Sequence, residues 1–173
     1  MAVLSVRLYG DPILRTVAEP VATVTPEIRQ IVADMVESMW HQVGIGLAAP
    51  QVGISLRILV MDDGKAGAQA LINPAITDRG GSVREEEGCL SLPGIFAEVE
   101  RSKWIRVSAL DDEGRPIAFE AQGLRAKVIQ HEIDHLDGVL FIDRLPPLTR
   151  DRIKKRIQKD GLSKPVRHHA FAL

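Results

Sequence analysis

His131, Glu132 and His135 stand in the segment VIQHEIDHLDG (128–138) as His-Glu-x-x-His. On a helix, residues four apart lie on one face, about one turn from each other. Two imidazoles so placed can share one metal ion, and the carboxylate beside them can take the proton of an attacking water. Two ligands do not complete a site, so the chemistry depends on where a third lies.

The extended pattern with a third histidine puts it six residues after the second, and here that position is Phe141. No glutamate follows Glu132. Asp143, in FIDRL, is one alternative, and it would make the chain a metallopeptidase of another type. His168 and His169 lie in the C-terminal tail, 161–173. Upstream, EEEGCLSLPG (85–94) holds the one cysteine, Cys89. A thiolate is a good ligand for zinc or ferrous iron, and Gly88 before it permits close backbone approach. One cysteine, two histidines and an open position make a catalytic site rather than a closed structural one. Alone, Cys89 reads as a small buried hydrophobe. His131 and His135 could be a pair of ordinary helix residues, but Glu132 stands where the chemistry needs a carboxylate and the helix is otherwise apolar.

These residues need a scaffold. Thr25 and Pro26 suit a helix start. Apolar residues from Ile28 to Val43 follow at helical spacing, predicting a helix over 26–43 stopped by Gly44. Segments 54–62, 69–76, 95–100, 103–110 and 115–122 read as strands, and DDEG (111–114) reads as a hairpin turn with Gly114 at positive φ. A second helix covers about 122–137, with Gly138 past its end, and a third starts near 148. Hairpins without helical crossovers imply antiparallel pairing. The expected class is α+β: antiparallel sheets packed around a central metal-binding helix, with an N-terminal and a C-terminal helix. The 173 residues fit one domain. GIGLAAP lacks the third glycine and the Lys-Ser/Thr ending of a phosphate loop and follows a helix, so phosphate binding is rejected.

Three segments agree with one family. GIGLAAPQVG (44–53), EGCLS (87–91) and QHEIDHLDG (130–138), with LINP (71–74), resemble the bacterial peptide deformylases in order and spacing, a likeness running from about residue 4 to 160. The resemblance implies that Cys89, His131 and His135 bind the metal and that Glu132 is the general acid/base. It implies that Gln51 and the Leu90 N–H hold the formyl oxygen, and that Ile45, Gly46 and Gly88 offer backbone groups to the peptide. It further implies removal of formate from the N-formylmethionine of nascent chains, with Fe2+ as native metal and Zn2+, Ni2+ or Co2+ able to occupy the site. Without the adjacent glycines, Gln51 would read as a loop residue capping a turn. Of Leu124, Val128 and Ile129, one or two are expected to line a pocket for an unbranched side chain such as methionine, the rest being core. Lys127 is expected to point its charge to solvent.

Composition bounds the partners. Hydrophobic content of 45% and charged content of 26% are ordinary for a globular chain. A net charge of -1 gives no global field selecting DNA or membrane. One cysteine forms no internal disulfide, and the N-terminus lacks a secretory pattern, so a cytoplasmic location is expected. Between Arg150 and Lys159 stand six basic residues and one acid. A solvated face is the common reading of such a run. Leu148, Ile153 and Ile157 form a thin apolar stripe expected to pack on the body, and the resemblance suggests that the basic helix, 148–160, docks on the ribosome.

Overall fold

The computed structural model describes residues 2–163. Helix α1, Pro26–His41, starts as the sequence predicts: Thr25 Oγ1 accepts from the Ile28 N–H at 3.3 Å, and Pro26 fills the first position. Its end differs from the predicted glycine stop. The Val43 N–H bonds the Trp40 carbonyl at 3.0 Å and the Gly44 N–H bonds the Met39 carbonyl at 2.9 Å. These two bonds form a Schellman closure, and its left-handed position falls on Val43, at φ 58°, one residue before Gly44. A β-branched side chain is strained there.

Five strands form one antiparallel sheet: β1 (Gly46–Ala48), β2 (Ile58–Met61), β3 (Gln69–Gly80), β6 (Trp104–Leu110) and β7 (Pro116–Gln122), in the order β1-β2-β3-β6-β7. Two more, β4 (Val83–Cys89) and β5 (Leu92–Arg101), pair as a separate two-stranded sheet. The β6–β7 turn is DDEG, closed by the Asp111 N–H on the Arg115 carbonyl at 2.9 Å, with Gly114 at φ 82°. The strand expected over 54–62 shrinks to β2, because the backbone of 54–57 turns aside to bond Glu19: its N–H to Ser55 and its carbonyl from Arg57. β1 is too short to show alternation in sequence.

Ile58 and Val60 of β2 face α1, packing with Val32, Met35 and Met39, while Leu59 and Met61 face the other way. On that second face lies α2, Gly123–Leu136, bringing Val128, Ile129 and Ile133 against the sheet. Both faces of β2 are thus covered, which explains its unbroken apolar run. From Ala126 to Leu136 every residue of α2 is buried. A third core, Leu92, Ile95, Val99, Phe141 and Ile142 among others, ties the β4–β5 hairpin to α3, Pro147–Asp160. Only Ile153 and Ile157 of α3 reach that core; Leu148 is 65% exposed, so the predicted stripe is narrower than expected. Of the tail, Gly161, Leu162 and Ser163 are described, and His168 and His169 lie outside the described residues. The architecture is α+β, with antiparallel sheets on α2.

Candidate active site

α2 presents His131 and His135 one turn apart, with ring centroids 5.0 Å apart. Cys89 ends β4 and brings its sulfur 3.3 Å from His135 Nε2. Cys89, His131 and His135 are all buried, and one ligand atom of each lies within 4.8 Å of the others. With metal bonds of about 2.0 Å to nitrogen and 2.3 Å to sulfur, tetrahedral N and S ligands stand roughly 3.5 Å apart. The spacing therefore fits one ion. His131 Nε2 is buried with no hydrogen-bond partner among the described residues, while His131 Nδ1 faces Glu87, so Nε2 is the ring nitrogen left to bind an ion. Three protein ligands leave a fourth position open.

The local backbone explains the approach of Cys89. The β4–β5 register breaks between Glu87 and Cys89, a bulge that falls on Gly88. A Cβ on Gly88 would meet the Phe96 ring at 2.5 Å, so the close approach this glycine permits is to an aromatic side chain. Burial pushes the Cys89 thiol well above its ordinary range and the Glu132 carboxylate adds to this, while the N–H groups of Ser91 and Leu92 pull the other way. Those two N–H groups favour the thiolate that a metal requires.

Glu132 is fully buried, and both its carboxylate oxygens lack a hydrogen-bond partner among the described residues. Burial, then the nearby Glu87 charge, raises its pKa well above the usual carboxylate range. An unpartnered buried carboxylate is costly and marks a place where a proton or a ligand is handled. Gly46 lies against it, and the Cβ that this glycine lacks would stand 2.7 Å from Glu132 Oε1. That glycine therefore makes room for the carboxylate.

Gln51 is also fully buried. Its Oε1 accepts from the Ala48 N–H at 2.9 Å, which fixes the amide orientation, and its Nε2 donates to Ser91 Oγ at 3.1 Å and lies 3.6 Å from Cys89 Sγ. Leu90 packs over Gly44, where a Cβ would meet Leu90 Cδ1 at 2.9 Å. The Ile45 carbonyl is already taken by the Asp62 N–H at 3.0 Å. Of the pocket candidates, Ile129 is pure core, Val128 abuts Gly46, and Leu124 is 42% exposed.

Two sequence readings are overturned. Lys127 is buried, not solvent-facing: α2 is enclosed here, and the ammonium donates to the Glu86 carbonyl at 2.7 Å and pairs with Glu85 at 3.6 Å. Asp143 is no ligand. It sits in a 3-10 turn, Phe141–Arg144, with its carboxylate held by Arg15 and by the Leu140 N–H at 2.9 Å. Sequence reasoning also missed an ionic group behind His131, built from the buried Glu87, Arg101 and Asp134 and the half-exposed Arg144. Glu87 ends an EEE run that reads as solvated, and only its place opposite α2 reveals its burial.

The family profile for polypeptide deformylase matches residues 3–151. The chain belongs to the polypeptide deformylase family. A peptide deformylase from Alkalilimnicola ehrlichii is 52% identical over 162 residues, covering 92% of this chain and 91% of that protein. The crystal structure of the deformylase from Thermus thermophilus superposes with a TM-score of 0.87 at 46% identity, covering 91% of this chain and 94% of the other. The deformylase from Ehrlichia chaffeensis in complex with actinonin gives a TM-score of 0.85 at 40% identity, covering 92% of this chain and 99% of the other. Membership of this family implies a divalent metal, and the Cys89, His131 and His135 cluster offers donors suited to hold one.

Proposed function

We propose that this chain hydrolyses the formyl group from the N-formylmethionine of nascent polypeptides, releasing formate, as one catalytic domain in the cytoplasm. The observation that carries the reading is the meeting of two things. A buried Cys-His-His cluster lies within 4.8 Å, and Glu132, beside its first histidine, has neither oxygen partnered among the described residues.

Cys89, His131 and His135 hold the ion, Fe2+ natively, with Zn2+, Ni2+ or Co2+ also suited to this donor set. Bound there, such an ion would supply Lewis acidity, making water acidic enough to attack at neutral pH and polarising the formyl carbonyl. Glu132 takes the proton of the attacking water and delivers it to the leaving amine. Attack places negative charge on the formyl oxygen. Gln51 Nε2 and the Leu90 N–H stabilise it, and losing one such donor costs about 2.7–4 kcal/mol of barrier. The Ala48 N–H on Gln51 Oε1 keeps the amide nitrogen turned toward Cys89.

β1 is the edge strand of the larger sheet, and β4 pairs on one side only. The peptide lies between these edges, using the Ile45 N–H and the backbone of Gly46 and Gly88. Leu124, exposed near the start of α2, receives the methionine side chain. Among the described residues no helix is long and apolar enough to cross a membrane. Arg152, Lys154, Lys155 and Arg156 of α3 are exposed, and this basic face docks on ribosomal RNA.

Formate release from a formyl-Met peptide by anaerobically purified protein tests the activity; no release refutes it. Metal analysis of Cys89→Ala tests the ligand set, and full occupancy in that variant overturns it. Equal activity of aerobic and anaerobic preparations argues against iron, because ferrous iron beside a thiolate is open to oxidation. Replacing Lys154, Lys155 and Arg156 with glutamate should weaken co-sedimentation with ribosomes at low salt; unchanged co-sedimentation leaves α3 a structural element.

A further inference from the structure

Behind His131 stands a chain of charges that the hydrolysis itself does not use. His131 Nδ1 lies 3.4 Å from Glu87 Oε2. Arg101 holds that same carboxylate with two bonds, Nε to Oε1 at 2.8 Å and Nη2 to Oε2 at 2.9 Å. Its third nitrogen, Nη1, donates to Asp134 Oδ2 at 2.6 Å. Asp134 in turn accepts from Arg144, Nη2 to Oδ1 at 2.8 Å and Nε to Oδ2 at 3.2 Å. Glu87, Arg101 and Asp134 are buried, while the Arg144 side chain is half-exposed in a polar cleft of about 310 Å³ that also touches Gln130 and Asp137.

The arrangement balances two carboxylates against two guanidinium groups. Stability is a weak reason for it, since well-packed apolar residues commonly replace buried ion pairs without loss. Its geometry offers a better one. Arg101 comes from β5, Glu87 from β4 and Asp134 from α2, three residues after His131. One planar guanidinium thus fixes the carboxylate that faces His131 Nδ1 to the helix that carries His131. A carboxylate on Nδ1 selects the tautomer whose Nε2 lone pair is free, and Nε2 is the unpartnered atom found at the cluster.

We infer that Arg101 is a positioning residue for the metal ligand His131, acting through Glu87 and itself anchored by Asp134, which Arg144 holds from its other side. This rests on His131 being a ligand, as proposed above. The test is the rate at which a chelator strips zinc from zinc-loaded protein. Arg101→Gln should bind zinc about 10- to 100-fold more weakly, the range for lost outer partners of a ligating histidine, and release it correspondingly faster. Arg101→Lys should not rescue it, because an ammonium cannot grip both oxygens of Glu87 and also reach Asp134. Glu87→Gln should match Arg101→Gln, and the double variant, which removes both buried charges, should release no faster than the worse single. A merely structural role would lower melting temperatures while leaving release unchanged, or give additive effects; either result overturns the inference. If Arg101→Gln does not fold, Arg144→Gln, altered at the half-exposed end, should still speed release several-fold, and wild-type release there also overturns it. Metal loss in Cys89→Ala, measured alongside, separates failure of this inference from failure of the ligand set.

Discussion

Replacing Gly46 with alanine should disable the reaction without touching the metal ligands. The added Cβ would stand 2.7 Å from Glu132 Oε1, 2.7 Å from Val128 Cγ1 and 3.1 Å from Glu132 Cγ. Ordinary contact begins at 3.4 Å, so the two nearest atoms stand about 0.7 Å too close and something must shift. Val128 is locked in the core between α2 and the sheet. The carboxylate, at the end of a flexible side chain, is what moves. A displacement of about 1 Å in a reacting group costs on the order of 10²-fold in rate, so kcat should fall roughly 10- to 100-fold. None of the three closest atoms belongs to Cys89, His131 or His135, so metal content should stay at the wild-type level. The assay is coupled formate release from a formyl-Met tripeptide, with metal measured on the same samples. A kcat within twofold of wild type would refute the claim that Gly46 makes room for Glu132. Parallel loss of metal and activity would refute it too.

Glu132→Gln should keep its metal and lose about 10²–10⁴-fold in turnover, because the amide cannot accept a proton; near-normal turnover would remove Glu132 from the proton path. Val43→Asn should raise the melting temperature by a few degrees. Asparagine tolerates the left-handed region, where a β-branched residue is strained by about 1–2 kcal/mol, and Val43 is half-exposed and contributes little burial; a lower melting temperature contradicts this. Asp143 gives a pH prediction. Burial pushes its carboxyl up, but the Arg15 hydrogen bond and then the Leu140 N–H outweigh this and hold its pKa below the usual range. A depressed folded pKa contributes stability above the unfolded value of about 3.9 and loses it as pH falls through the folded value. Asp143→Asn should therefore lower the melting temperature at pH 7, and its gap to wild type should close in acid. A gap constant with pH would show that the charge is not what matters.

Some parts of this site were written in residue types, others only in three dimensions. His131, Glu132 and His135 announce themselves, because helical periodicity turns a spacing of four into a shared face. The DDEG turn was legible because Gly114 takes a conformation few residues accept. Lys127 was misread because a charge usually means solvent, and nothing local says that α2 is enclosed on every side. Arg101 and Asp134 were invisible for a related reason. Each is ordinary alone, and their partners come from β4 and α2, far apart in the chain. Val43 shows the limit of a local rule: the glycine that normally ends a helix was present, one residue late.

The division of the strands into two sheets has a consequence for local stability. Cys89 rides on β4–β5, whereas His131 and His135 ride on α2, backed by the larger sheet. A two-stranded hairpin is marginal by itself; this one persists through its core on Phe141 and Ile142 and through the Arg101 ties to Asp134. In native-state hydrogen exchange the metal-free protein should therefore open in parts. The β4–β5 amides should exchange at a lower free energy than those of β2 and α2, carrying the sulfur away from the imidazoles while the rest of the molecule stays folded.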